Sequence, residues 1–158
     1  MAKIIVVILV IVALGSIYFW QNSQVVSKAE QNYINGEWNF SLKLPEGYRV
    51  SGEDTLLYVV SKPTPENETP TPEMRIKLEQ GSQTSIDKTD SLVIVSQEEI
   101  SINNTVGHKI SVSYKDYPED SQCPIYRLHN NGVVYEFSLY ECLESEIFES
   151  VVQSFNII

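Results

Sequence analysis

The chain opens with a long apolar run and then changes to alternating and polar patterns. Ile4–Trp20 (IIVVILVIVALGSIYFW) contains no charged residue and is preceded only by Met1, Ala2 and Lys3. As a helix this run would be roughly 25 Å long, which approaches the hydrocarbon thickness of a bilayer. The aromatic residues that close the run favour a membrane interface. The run therefore predicts a single transmembrane anchor.

A cleaved signal peptide is the competing interpretation of this run, and a buried core helix is a third. A signal peptide has an apolar core of about 7–15 residues followed by small residues, whereas bulky residues occupy positions 17–20. We therefore favour an uncleaved anchor.

The charges on either side of the run predict its orientation. Lys3 precedes the run and Lys28 is the nearest cation after it. This small difference predicts a cytoplasmic stub (residues 1–3), an extracytoplasmic C-terminal part and a location in the cell membrane.

The remaining chain divides into a polar stretch and a region of strand patterns. Residues 21–36 have few large apolar side chains and predict a tether, with a helical turn around Lys28–Tyr33. Apolar and polar residues alternate from Trp38 to Leu44 and from Met74 to Leu78, a period typical of half-buried strands. Further strands are predicted at 55–61, 92–95, 98–102, 108–114, 123–129 and 133–141.

The hydrophobic period becomes helical near the C-terminal end. The apolar residues there follow helical spacing: Ile147, Phe148, Val151, Val152 and Phe155. A helix with such a stripe must pack it against a sheet. The predicted fold class is therefore α+β, with an antiparallel sheet of about six to seven strands and a C-terminal helix packed on it. Residues 37–158 would form this one extracytoplasmic domain.

The last predicted hairpin has a defined register. Asn131-Gly132 is a strong signal for a two-residue type I′ turn, in which Asn130 pairs with Val133. Arg127 then lies directly opposite Glu136, and this opposite-charge pair supports the register.

The two cysteines, Cys123 and Cys142, lie diagonally on one face in this register. A diagonal pair is roughly 7–8 Å apart, slightly beyond the about 4.4–6.8 Å that a disulfide spans. A bulge or a longer loop would bring the two residues opposite each other. Because a disulfide persists outside the cytoplasm, we predict a Cys123–Cys142 bond. The alternative is two unrelated thiols.

The net negative charge of the chain disfavours two classes of function. Lys3 is the only charged residue before Gln21, so residues 21–158 carry 21 acidic and 10 basic residues. Their net charge is −11, one unit below the −10 of the whole chain. Nucleic-acid binding is disfavoured because it requires a basic footprint. Adhesion to anionic lipid is disfavoured for the same reason.

The sequence contains no catalytic signature. G-x-S-x-G, H-E-x-x-H and phosphate-cradling glycine loops are all absent. His108 and His129 are the only histidines, and both fall in predicted strands. Together with two cysteines they supply a poor ligand set for zinc. We therefore predict no catalytic residue, no metal and no cofactor.

One loop and one tyrosine form the predicted binding surface. The loop residues are Asp116, Tyr117, Glu119 and Asp120, and Tyr140 from the last strand completes the surface. Tyrosines with an acidic rim are suited to binding a partner, although tyrosines more often form core edges. Clustered carboxylates also suit Ca²⁺, but the alternating spacing of a calcium loop is absent. A solvated acidic loop is the remaining interpretation.

Three segments resemble PsbP-like domains over Glu37–Ile158. WNFSLKLPEGYRV resembles the opening strand, turn and short strand of these domains, and EISINNTVGHKISV resembles their middle hairpin. YRLHNNGVVYEFSLYE followed by IFESVVQSFNII resembles their closing hairpin and helix. The resemblance implies an α/β/α sandwich that serves as an extrinsic or assembly-type binding domain. One helix of that family has no good counterpart in Gln80–Gln97, and no functional residue transfers.

These observations predict a membrane-anchored, extracytoplasmic binding or assembly module without catalytic activity. Its partners would be the membrane, through Ile4–Trp20, and an unidentified protein, but no nucleic acid. Three alternatives remain open: a solute- or Ca²⁺-binding domain, a small subunit of a membrane complex that acts through its helix, and an enzyme.

Overall fold

The computed structural model describes residues 30–62, 69–81, 92–114, 122–142, 145 and 147–158. These residues form ten strands and one helix. The strands are β1 (Gln31–Asn35), β2 (Phe40–Leu44), β3 (Tyr48–Glu53), β4 (Leu56–Ser61), β5 (Pro72–Gln80), β6 (Leu92–Ile102), β7 (Thr105–Tyr114), β8 (Cys123–Asn130), β9 (Val133–Leu139) and β10 (Asn156–Ile157). The helix, α1, is Phe148–Gln153.

The predicted anchor and stub lie outside the described residues, as does most of the predicted tether. Within the described ranges, no helix has the length and apolar character needed to cross a membrane.

The strands form two antiparallel sheets. Seven strands follow the order β3-β4-β5-β9-β8-β7-β6, and β1-β2-β10 form a smaller sheet. The larger sheet agrees with the predicted six to seven strands, whereas the second sheet was not expected. The predicted tether is wrong at its C-terminal end, because Gln31–Asn35 form β1 rather than a helical turn. This edge strand is mostly exposed, so it lacks the alternation of apolar residues that marks a half-buried strand.

The core lies between the two sheets and α1. The apolar side chains of β2 and α1 pack against one face of the seven-stranded sheet. Phe155 is central, since its ring centroid lies 5.0 Å from Tyr135, 5.4 Å from Phe137 and 5.9 Å from Phe40. The apolar stripe predicted from residue 147 to residue 155 is buried, so the prediction that a C-terminal helix packs on the sheet is confirmed.

The last hairpin has the predicted register. Asn131 and Gly132 both have positive φ (48° and 79°), as a type I′ turn requires. Asn130 pairs with Val133, and the same ladder pairs Arg127 with Glu136. The strands predicted separately at 92–95 and 98–102 are one strand, β6. A bulge at Val95 shifts its register against β7 and interrupts the alternation of the sequence.

The β6–β7 turn also holds the end of α1. The Asn103 side-chain amide donates hydrogen bonds to the carbonyl oxygens of Gln153, at 3.2 Å, and Phe155, at 2.7 Å. The last carbonyls of a helix lack partners within the helix. The Asn103 amide supplies hydrogen bond donors for carbonyls at this end of α1 and thereby fixes the C-terminal segment against the sheet.

Candidate binding surface

The second face of the seven-stranded sheet carries a row of charged side chains. Across β5, β9, β8, β7 and β6, directly paired residues on this face form the row Lys77, Glu136, Arg127, His108 and Glu99. Opposite charges at paired positions stabilise a sheet. The strand register therefore fixes the order of acidic and basic side chains along this row.

Arg127 is the central member of the row and is only 7% exposed. Its Nη2 lies 2.7 Å from Glu79 Oε2, and its Nε lies 3.4 Å from Glu136 Oε2. The pKa of Glu79 is lowered, first by a hydrogen bond from Lys77 and then by the nearby positive charges of Lys77 and Arg127. The carboxylates near Arg127 thus compensate its charge.

The two histidines lie on this same face. His108 pairs with Arg127 on one side and with Glu99 on the other, whereas His129 pairs with Val106 and Val134. Among the described residues, no hydrogen bond joins either histidine to a carboxylate. Both are half-buried strand residues.

A small apolar cluster and a disulfide close one end of this face. Val112, Cys123 and Ile125 are buried there. Cys123 and Cys142 form a disulfide with Cα atoms 5.1 Å apart, which confirms the predicted pairing. The β8–β9 ladder ends at the pair Ile125 and Ser138, before Cys123. Cys142, with φ of 53°, lies beyond the end of β9, so a change of chain direction brings the cysteines together.

Tyr140 lies beside this disulfide and is 49% exposed. Its backbone N–H donates to the carbonyl oxygen of Glu73 at 3.1 Å. Its ring meets the Tyr58 ring edge-on, with the centroids 6.0 Å apart. Arg75 pairs with Tyr58 across the sheet, and its side chain is 42% exposed. We call Tyr58, Arg75 and Tyr140 the tyrosine patch.

The structure places only one of the predicted surface residues. Tyr140 is exposed as expected, whereas Asp116, Tyr117, Glu119 and Asp120 lie outside the described residues. Gln122, which follows their loop, is next to Cys123.

Sequence reasoning missed Tyr58 and Arg75. Tyr58 stands within the apolar run LLYVVS of β4, which has no alternation to show which face it occupies. Arg75 alternates with buried Met74 and Ile76, so its outward position was predictable. Its place beside two tyrosines depends on the strand order β4-β5-β9, which joins distant parts of the chain.

A second polar cluster connects α1 to the sheet. The Tyr126 hydroxyl donates to both carboxylate oxygens of Glu149, at 2.7 and 2.6 Å, and Lys109 Nζ donates to Oε1 at 3.2 Å. Burial, and then the bond to Glu149, raises the pKa of Tyr126 to about 12. The pKa of Lys109 is also raised, chiefly by its interaction with Tyr126. Both groups stay protonated at neutral pH, so the cluster acts as a structural link rather than as a base or nucleophile.

Comparison of sequences alone assigns no family, since no family model and no curated protein match the chain. Comparison of structures does find matches. The solution structure of cyanobacterial PsbP (CyanoP) from Synechocystis sp. PCC 6803 is 12% identical, covers 85% of this chain and 96% of that chain, and has a TM-score of 0.54. A crystal structure from Bacteroides thetaiotaomicron VPI-5482 is 14% identical, covers 83% of this chain and 49% of that chain, and has a TM-score of 0.45.

The fold is therefore that of an antiparallel α+β domain with a seven-stranded sheet and a small C-terminal helix. More specifically, the chain has a distant PsbP-like fold, as the sequence resemblance predicted.

Proposed function

We propose that this protein is a non-catalytic binding or assembly module held at the outer face of the cell membrane by Ile4–Trp20. The tyrosine patch would be its contact surface for a protein partner. The observation that carries the proposal is the grouping of Tyr58, Arg75 and Tyr140 on one face of the sheet. Tyrosine and arginine are enriched among the residues that dominate binding energy at protein interfaces.

The patch is held in place before any partner binds. Tyr140 is fixed by its bond to β5 and by the disulfide two residues later. Tyr58 lies within β4, which pairs with neighbours on both sides. Side chains that are already ordered lose less conformational entropy when a complex forms, and this raises affinity for a given contact area.

The net negative charge of residues 21–158 favours a partner with a basic surface. Residues 21–158 carry a net charge of −11, so a partner with a basic surface would be attracted over a longer range. The predicted acidic loop at 115–122 would belong to this surface. Arg75, whose Nη2 lies 3.9 Å from Glu136 Oε1 and whose side chain is 42% exposed, would give the patch a further contact for a carboxylate within the partner's interface.

Co-purification after crosslinking in the native membrane tests this function. The full-length protein should retain a stoichiometric partner, and Tyr140→Ala should lose most of it. Ser101→Ala, at an exposed position on β6, three strands from β9, serves as the matched surface control and should retain the partner.

Replacement of Ile4–Trp20 by an unrelated anchor separates this function from that of a small subunit that acts through its helix. We expect the partner to remain bound after the replacement. A partner that survives Tyr140→Ala but is lost with the anchor replacement would overturn the assignment of the contact surface.

A further inference from the structure

A separate cleft of about 490 Å³ lies at the far end of β9 from Tyr140. It is bounded by the β1–β2 turn, the end of β5 and the β8–β9 turn. Its walls include two aromatic residues and four side-chain amides: Trp38, Tyr135, Asn39, Gln80, Asn130 and Asn131. We call it the amide cleft. About 20 Å of strand separates it from the tyrosine patch, so the two sites are independent.

The four amides of the cleft have unused hydrogen-bonding capacity. Among the described residues, none of these four side chains has a hydrogen bond partner within the protein. The left-handed backbone of Asn39 (φ 52°) and Asn131 (φ 48°) explains why asparagine is favoured in those turns. Gln80 and Asn130 end regular strands, where no such backbone requirement applies.

Trp38 adds a buried donor to this set. Its indole Nε1 is inaccessible to solvent and has no hydrogen bond partner among the described residues. The residue itself is firmly positioned, since its backbone N–H donates to Asn35 Oδ1 at 3.0 Å and its carbonyl accepts from the Tyr135 hydroxyl at 2.9 Å. A buried donor without a partner costs free energy. In this conformation the indole is therefore a wall of the cleft rather than a donor that a ligand reaches.

The charge of the lining restricts the ligand. Among the described residues that line the cleft, Glu37 is the single carboxylic side chain, and no lysine, arginine or histidine is present. A phosphate or carboxylate would therefore meet a negative group and no counter-charge. The amides, in contrast, offer both donors and acceptors.

We propose that the amide cleft binds a neutral, hydroxyl-rich ligand, namely a monosaccharide or one end of a short neutral oligosaccharide. Each sugar hydroxyl both donates and accepts a hydrogen bond, which matches the two functions of each amide. Val133, Trp38 and Ile158 provide an apolar surface for the C–H groups of the sugar. The volume falls within the range of about 300–1,000 Å³ that small-molecule sites occupy.

The test follows the indole N–H resonance of Trp38 by NMR in the full-length protein. Trp20→Phe removes the only other indole signal, since the chain contains two tryptophans. Micelles without sugar headgroups avoid competition from the detergent. The probes are glucose, galactose, mannose, N-acetylglucosamine, maltose, cellobiose and lactose, with glucose 6-phosphate as the charged comparison.

We expect a saturable shift of the Trp38 resonance with at least one neutral sugar and weaker binding of glucose 6-phosphate. Gln80→Ala and Asn130→Ala should each weaken the neutral sugar by about tenfold, because each leaves a sugar hydroxyl unpaired. Gln97→Ala, at an exposed position on β6, should leave the affinity unchanged.

Absence of a shift with every neutral sugar, or an affinity that both amide substitutions leave unchanged, would overturn the proposal. Neither result would bear on the tyrosine patch.

Discussion

Arg127 on β8 faces Glu136 on β9, with 3.4 Å between Nε and Oε2. The Glu136 side chain is only 12% exposed, and the Arg127 side chain is 9% exposed, so the pair is largely removed from water. Arg127 also reaches Glu79 on β5. One guanidinium thus compensates carboxylates from two neighbouring strands in the middle of the sheet.

Arg127→Met should destabilise the domain by about 3 kcal/mol, because it leaves the mostly buried Glu136 carboxylate with only the more distant cation, Arg75, whose Nη2 lies 3.9 Å from Oε1. Urea unfolding of the single variant provides the measurement. The double variant Arg127→Met with Glu136→Leu should regain more than half of the lost stability, since it also removes the carboxylate that has lost its nearer cation. A double variant as unstable as the sum of its single variants would contradict this account of the pair.

Tyr126 should titrate about two pH units above an ordinary tyrosine, since burial and Glu149 raise its pKa from 10.0 to about 12. Because the folded-state pKa lies above the unfolded value, the stabilisation from the neutral phenol is fully present below pH 10. It is lost as the pH rises through about 12. Ultraviolet absorbance of tyrosinate, measured as wild type minus Tyr126→Phe, follows this group. A difference signal that rises near pH 10 would show that Tyr126 is not held neutral.

Asn103→Gly should cost about 1–2 kcal/mol of unfolding free energy, since it removes the amide that bonds to Gln153 and Phe155. Glycine tolerates the positive φ of 46° at this position, so the substitution tests the amide rather than the backbone. Asn104→Gly is the matched control at the next turn residue, whose φ is 67°. Thermal or urea unfolding should show little change for the control, and equal losses in both variants would disprove the capping role.

Replacement of both cysteines, Cys123→Ala with Cys142→Ala, should lower stability by about 3 kcal/mol. The bond closes a loop with a sequence separation of 19 residues, and the loss of this constraint stabilises the unfolded chain. Unfolding of the wild type under reducing and oxidising conditions provides the same comparison without mutation. A wild type that unfolds at the same urea concentration in both conditions would mean that the bond contributes nothing to the fold.

Local signals predicted the parts of this fold that depend on adjacent residues. Asn131-Gly132 set the turn, and the turn set the pairing of Arg127 with Glu136. Helical spacing likewise identified the buried stripe of α1. These features were predictable because turn geometry and side-chain period are properties of short segments.

The parts that sequence reasoning missed depend on long-range contacts. β1 pairs with β2 although its own residues are mostly exposed, so its pattern resembles a polar tether. The tyrosine patch joins β4, β5 and β9, and the amide cleft joins three turns and strand ends. No short segment contains either site.

Site-specific photocrosslinking at position 140 tests the central claim most directly. A photoreactive phenylalanine analogue replaces Tyr140 in the full-length protein, and the matched control carries it at Gln97, an exposed position on β6. Both proteins are irradiated in the membrane of the cells that produce them. If the tyrosine patch is a partner-binding surface, position 140 should form one dominant protein adduct that position 97 does not form. The same adducts from both positions, or none from position 140, would contradict the account.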